Sequence, residues 1–179
     1  MLEQITGAAL RVVPGADLVS VTLRSADGTF HTPAMTDPVA AELDQLQYEL
    51  HEGPCLDAAD PAGPAAAAGD DLAVEKAWPR FGRAAAERGF EAVLSTALLP
   101  GAQNPGRSGA LNIYSRRSRG LGEDDQATAL LLATHASLAL AHIAAVTQEQ
   151  LRTEQPRRAI DSRDVSRTST SNSSASPKP

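Results

Sequence analysis

Cys55 is the only cysteine in the 179-residue chain, and it stands in the run LQYELHEGPCLD, residues 46–57. Glycine readily supplies the left-handed conformation that closes a helix, and proline suits the first position of the next one. Gly53-Pro54 therefore predicts a helix–turn–helix corner with an ionisable sulfur at its apex. A thiolate is favoured at a helix N-terminus, so Cys55 has two readings: a redox-reactive or ligand-contacting group, or a small buried hydrophobe at a tight corner. His51 precedes it by four residues, but the corner breaks helical spacing, and His51 reads as a surface residue near a helix end. His135 and His142 are two turns apart on a predicted helix, about 10.5 Å of rise, which is too far for both to grip one metal. His31 falls in a predicted strand, and no metal site is expected. Ser95 has neither a G-x-S-x-G context nor an evident Asp/His pair and reads as a strand residue. Gly101, Gly106 and Gly109 lack the order of a phosphate loop. Asp70-Asp71 and Asp124-Asp125 read as solvated ends of elements. No ATP site, and hence no kinase activity, is indicated.

These residues need elements to position them. Residues 2–12 carry Leu2, Ile5, Ala9 and Val12 on one side, and Pro14-Gly15 stops this first helix. Residues 16–24, ADLVSVTLR, read as a strand, Asp27-Gly28 as a hairpin turn, and TFHTPAMT as the returning strand. Pro33 suits an edge strand. Asp37 can cap the next helix with Pro38 at its first position, and Val39, Leu43, Leu46 and Leu50 share one face of it. Residues 60–68 read as loop or as an edge strand weakened by alanine. A helix around WPRFGRAAAERG follows, ended by Gly89, with Trp78 and Phe81 packed inward. AVLSTALL (92–99) and ALNIYS (110–115) are strands, separated by a turn-rich loop. A long helix is predicted from Glu123 to about Gln155, with three acids at its positive N-terminus. It carries two stripes: Ala127, Leu131, Thr134, Leu138, Ala141, Ala145, and Leu130, Ala133, Ser137, Leu140, Ala144. Packing on a sheet needs one. The second is either sandwiched within the monomer or paired with another chain, and the 4–3 spacing of the first fits a coiled-coil seam.

Composition bounds the partners. Residues 1–151 hold 19 acids and 10 bases, a balance of −9; residues 152–179 hold 3 acids and 6 bases, a balance of +3; together they give the net −6. An acidic body argues against nucleic-acid binding by the globular part. One cysteine excludes an internal disulfide and a cysteine-rich zinc site. The N-terminus lacks the pattern of a signal peptide, and no window spans a bilayer, so a cytoplasmic protein without membrane attachment is expected. In residues 166–179, SRTSTSNSSASPKP, eight of fourteen are Ser or Thr, which predicts a disordered tail.

The order of elements, together with LQYELHEGPCLDA (46–58), WPRF (78–81), VLSTALL (93–99) and GALNIYS (109–115), resembles a GAF domain over residues 1–150. The resemblance is to the sensor half of actinobacterial GAF–ANTAR transcription antitermination regulators. It implies an α+β fold, a central antiparallel sheet with flanking helices and a long C-terminal helix. It further implies helices on one sheet face, loops around a small-molecule pocket on the other, and a homodimer through the flanking helices. Residues 151–165 form the expected helical linker, in which RRAIDSRDV (157–165) resembles the lead-in to the RNA-binding ANTAR domain. The Ser/Thr tail then replaces the expected continuation, so RNA binding is not carried over. The expected pocket residues are Tyr48, Cys55, Leu56, Trp78, Phe81, Ser95, Leu111 and Tyr114, or these are plain core. The ligand and any cofactor are unspecified. The chain is expected to be a non-enzymatic small-molecule or redox sensor signalling through its last helix. Its rivals are a filled-core dimerisation module, a truncated regulator remnant, and a thiol-dependent reductase.

Overall fold

Strand β1 (Leu18–Arg24) alternates Val19 and Val21 with Leu18, Ser20 and Thr22, yet its first five residues are all buried. Strand β5 (Ser108–Ser115) is buried at every position. Strands buried on both faces need a layer on each side, and the chain supplies both. The computed structural model describes residues 1–98, 108–142 and 145–146. Residues 1–141 form one unit; residues 142–179 form another, of which only helical residues 142, 145 and 146 are described. The expected linker and tail lie outside the described residues.

The first unit holds a five-stranded antiparallel sheet in the order β2-β1-β5-β4-β3, with β2 at Phe30–Met35, β3 at Ala66–Gly69 and β4 at Ala92–Leu98. Of the alanine-rich segment 60–68, residues 61–65 are turn and loop, and the edge strand begins at Ala66. Pro33 lies on the opposite edge strand, at a register shift: Val21 faces Ala34 and Leu23 faces His31, so Thr22 is opposed by both Thr32 and Pro33. An extra residue in one strand flips the side chains beyond it to the other face. Here it turns Thr32 toward the face that carries Thr22, which has a consequence for the site.

On one face, Val19, Val21, Leu94, Leu98, Leu111 and Ile113 pack against helix α1 (Leu2–Val12) and the last helix, α5, which runs from 123 to the end of the unit at 141. The stripe of α5 that turns inward is Ala129, Ala133 and Ala136. Of the two expected stripes only Ala133 belongs to it. Leu131 and Leu138 of the other stripe are 63% and 66% exposed.

On the opposite face lie helices α2 (Pro38–Leu50), α3 (Pro54–Ala59) and α4 (Pro79–Glu87). This corrects the expectation that loops alone enclose that side. Asp37 caps α2, its carboxylate accepting from Val39 N. At the corner, the left-handed residue closing α2 is His51 (φ 52°), not Gly53. Gly53 instead precedes α3 with φ 146°. Trp78 stands just ahead of α4 and Phe81 within it; both are buried among Leu43, Leu72, Ala85, Phe90 and Tyr114.

Candidate functional site

Helix α2 presents more than its apolar stripe to the sheet. Ala40, Asp44 and Gln47, at helical spacing, are fully buried, and Tyr48 is partly so. A buried charge has to be paired or hydrogen-bonded, and the sheet beneath Asp44 carries the donors. Asp44 Oδ1 accepts from Tyr114 Oη at 2.5 Å, Ser20 Oγ at 3.0 Å and Asn112 Nδ2 at 3.1 Å. Its Oδ2 accepts from Thr32 Oγ1 at 2.8 Å, the residue that the bulge turned to this face. Tyr48 Oη lies 2.8 Å from Thr22 Oγ1 and 2.9 Å from Thr32 Oγ1. Burial pushes the Asp44 carboxyl up to about 6, against the hydrogen bonds from Tyr114, Ser20, Thr32 and Asn112 that favour its charged form.

The network continues to the corner. Tyr114 Oη accepts from Gln47 Nε2 at 2.8 Å, and Gln47 Oε1 accepts from Cys55 N at 2.9 Å. A side chain of α2 therefore satisfies a donor in the first turn of α3. Gly53 makes this reach possible, because a Cβ at that position would collide with the Gln47 side chain. The corner is tied to α4 twice: Trp78 Nε1 donates to Asp57 Oδ2 at 3.0 Å, and Arg80 Nε pairs with Glu52 Oε2 at 2.8 Å.

Cys55 is fully buried. Burial pushes its thiol well up, the Asp44 charge adds to this, and hydrogen bonding with Thr22 only partly opposes it. The expectation of a thiolate favoured at the helix N-terminus is thus corrected: removal from water outweighs the helix end. Burial also raises Tyr48 and Tyr114, with the Asp44 charge second in each case.

Three buried polar atoms have no hydrogen-bond partner among the described residues: Arg24 Nε, whose guanidinium lies over the Phe30 ring, and Ser95 Oγ and Asn112 Oδ1. Ser95 and Asn112 are direct cross-strand partners on β4 and β5. The Asn112 Nδ2 group reaches toward β1, to Thr22 Oγ1 at 2.9 Å and Ser20 Oγ at 3.3 Å. The amide oxygen is consequently turned away from β1, on the side of β5 where β4 runs. Ser20, Asn112 and Ser95 form one row across three strands, continued by Ala67. Cys55, Ala58 and Ala59 of α3 pack with Ala110 over this part of the sheet.

Of the residues read from sequence, the structure brings Tyr48, Cys55, Ser95 and Tyr114 to this face. Leu56 packs beside Cys55, while Trp78 and Phe81 lie in the adjoining apolar cluster. Leu111 does not belong with them. It sits on the other face of β5, under α1 and α5, because it is one residue out of step with Asn112 and Ala110. Asp44, Gln47 and Asn112 were absent from the expected set and are central to the observed one. Among the described residues no group of three or more His, Cys, Asp or Glu could hold a metal ion. Nor is any helix there long and apolar enough to cross a membrane.

This arrangement, a five-stranded antiparallel sheet with α2–α4 on one face and α1 and α5 on the other, is the GAF fold. The structure is similar to the GAF domain of a phosphoenolpyruvate-protein phosphotransferase from Coxiella burnetii, with a TM-score of 0.58, 18% identity, and coverage of 82% of this chain and 84% of that one. It is also similar to GAF3 of Slr1393 from Synechocystis in its photoproduct state, with a TM-score of 0.59, 11% identity, and coverage of 83% and 96%. A type II free methionine-R-sulfoxide reductase from Thermoplasma acidophilum is similar at a TM-score of 0.56 and 14% identity, over 78% of this chain and 89% of that one. No family model and no curated protein matches the chain.

Proposed function

We propose that the chain is a non-enzymatic, cytoplasmic sensor module of a transcription-regulatory lineage, binding a small molecule on the α2–α3 face of its sheet. The carrying observation is the unpartnered pair of buried polar atoms, Ser95 Oγ and Asn112 Oδ1, beside a network that reaches the corner. A buried donor or acceptor without a partner costs roughly 1–3 kcal/mol, which an occupant that completes it recovers. Binding would favour one seating of α3, through Asn112, Asp44, Tyr114, Gln47 and the Cys55 amide in turn. A ligand with different affinity for two seatings shifts their populations. The sensor reading also draws on the GAF fold shared with the phosphotransferase domain and the photoproduct-state domain. The lineage rests on the resemblance of residues 46–58, 78–81, 93–99 and 109–115 to the sensor half of GAF–ANTAR regulators.

A homodimer through α5 is part of this reading. Leu131 and Leu138 form an exposed apolar ridge. A groove of about 340 Å³ lined by Leu130, Ala133, Thr134 and Ala141 runs on one side of it, and another of about 260 Å³ lined by Ile5, Leu132 and Ala136 on the other. A ridge between two grooves is what a second helix packs on, and the 4–3 spacing of Ala127, Leu131, Thr134 and Leu138 suits the same helix of a second copy.

Redox sensing and reductase chemistry at Cys55 are the weaker readings. The thiol is buried, held in its neutral form, and has no second cysteine to resolve an oxidised sulfur. Native mass spectrometry of the protein purified from its own cytoplasm tests the proposal. Two chains with a retained small molecule are expected. A bare monomer that no metabolite mixture stabilises against heat would overturn it.

A further inference from the structure

The buried polar cluster is lopsided in charge and in hydrogen-bonding capacity. Asp44 is a fully buried carboxylate, and its partners are two hydroxyls, a phenol and an amide. Among the described residues no Lys, Arg or His hydrogen-bonds or pairs with it. The other ionisable groups against it are Tyr48 on α2, Cys55 on α3 and Tyr114 on β5, and none of these is positive in any protonation state. Strands β1 and β2 hydrogen-bond it only through the uncharged hydroxyls of Ser20 and Thr32; the one cation in step with Ser20 and Thr22 on β1, Arg24, lies over the Phe30 ring instead. Of the three buried atoms left without partners, Arg24 Nε is a donor at the end of β1, over Phe30; the two in the Ser20–Asn112–Ser95 row are Asn112 Oδ1, which can only accept, and Ser95 Oγ, which can accept or donate. The row of Asn112 and Ser95 therefore lacks a donor, and the Asp44 carboxylate lacks a cationic hydrogen-bond partner among the described residues.

We propose that this site takes a small primary amine in its ammonium form, donating N–H to Asn112 Oδ1 and Ser95 Oγ and facing the Asp44 carboxylate across the Asn112 amide. This rests on the sensor reading above and narrows it to one class of ligand. An ammonium has three donors and no acceptor, which matches what the two atoms lack. It also supplies the cation that the buried carboxylate does not find in the fold. A carboxylate or phosphate ligand would meet a buried charge of its own sign. An alcohol or amide would complete Asn112 Oδ1 but leave that charge uncompensated. The roof over the row is α3, six residues long, whose first turn is held from α2 by the bond between Cys55 N and Gln47 Oε1. Admission of the ligand is a displacement of this short helix, so occupancy and the seating of the corner are linked.

The test is a ¹H–¹⁵N NMR titration of the full chain with four probes that share one branched four-carbon skeleton, isobutylammonium, isobutanol, isobutyramide and isobutyrate, followed at the Asn112 side-chain amide and the Ser95 and Cys55 backbone amides. The ammonium probe is expected to shift these signals and bind most tightly. Its affinity should fall roughly tenfold from near pH 8 to near pH 5, since a carboxyl titrating at about 6 is only about one-tenth ionised there. Ser95→Ala, an isosteric change that leaves the Asp44 network intact, should weaken it about fivefold or more. Equal or tighter binding of the alcohol or the amide at the same signals would overturn the amine and leave the sensor pocket standing. An affinity for the ammonium probe that does not change with pH would likewise overturn the amine. No shift at Asn112 from any probe at high millimolar concentration would overturn both the amine and the pocket.

Discussion

Asp44 carries a stability prediction that can be worked through. Its carboxyl titrates at about 6 in the folded chain, against an ordinary value of 3.8, chiefly because it is removed from water. The folded state thus holds the proton more tightly than the unfolded one. The stabilisation from this residue is full below about pH 4 and is lost as pH rises through about 6. The difference between the two values corresponds to roughly 3 kcal/mol. Most acidic groups in folded proteins work in the opposite sense, so the wild-type curve alone would mix the two. The informative quantity is the difference between wild type and Asp44→Asn.

The asparagine variant keeps the shape and most of the hydrogen bonds. Its carbonyl can take the place of Oδ1, which accepts from Ser20, Asn112 and Tyr114. Its NH₂ then faces Thr32 Oγ1, a hydroxyl that can accept while donating to Tyr48 Oη. Urea denaturation of both proteins from pH 4 to pH 8 should show wild-type stability falling relative to the variant by roughly 3 kcal/mol across that range. Asp44→Ala should instead be several kcal/mol less stable at every pH, since it strands four donors and opens a cavity. A wild-type-minus-Asn difference that is flat with pH, or that grows in favour of wild type as pH rises, would refute the argument from burial.

Three further outcomes follow from the same geometry. Gly53→Ala should cost roughly 2 kcal/mol or more in thermal or urea unfolding, because φ of 146° suits glycine and the new Cβ meets Gln47; a near-neutral effect would count against the corner as described. Cys55 should be alkylated by iodoacetamide only as fast as the chain opens, and fully in urea, since it is buried with its thiol pushed up; fast labelling of the native protein at neutral pH would reinstate the reactive thiol. Leu131→Lys with Leu138→Lys should dissociate the proposed dimer in light scattering while shifting monomer stability by no more than about 0.5 kcal/mol, as both side chains are exposed; a dimer unaffected by the pair would place the interface elsewhere.

The sequence made the fold legible where periodicity is strong and the ends are marked. Asp37-Pro38 began α2, Asp27-Gly28 joined β1 to β2, and the alternation in ALNIYS defined β5. The site was less legible, for a physical reason. In α2 the stripe Val39, Leu43, Leu46, Leu50 is apolar, so Asp44 and Gln47 beside it look like the start of a solvated face. A buried polar stripe and a wet one are written in the same residues. What separates them is the far side of the contact: Ser20, Thr22 and Asn112 stand at alternate positions on one face of β1 and β5, where a dry core would have placed aliphatics. Leu111 was misplaced against the same alternation, which puts it out of phase with Tyr114. His51 took the left-handed position expected of Gly53, because Gly53 is occupied with a different need, leaving room for the Gln47 amide. The inward stripe of α5 was missed because alanine and leucine occur all round that helix, and only packing against β1, β4 and β5 selects Ala129, Ala133 and Ala136.

The two faces of the sheet are built of different materials, and this bears on how a signal could cross it. Asn112 belongs to the polar cluster, while its chain neighbours Leu111 and Ile113 pack under α1 and α5. Ser20 and its neighbours Val19 and Val21 are divided in the same way. Consecutive strand residues point to opposite faces, so a shift of the β5 backbone at Asn112 moves aliphatic side chains against the inner stripe of α5 without passing through any loop. That inner stripe is alanine, whose side chain has no rotamers with which to absorb a displacement. In the proposed sensor, a movement of the strand would therefore pass to the α5 backbone and to the exposed ridge of Leu131 and Leu138 on its far side. The polar network thus lies one strand thickness from an apolar layer whose outer side is the exposed ridge of Leu131 and Leu138, which is the route the proposed sensor would use.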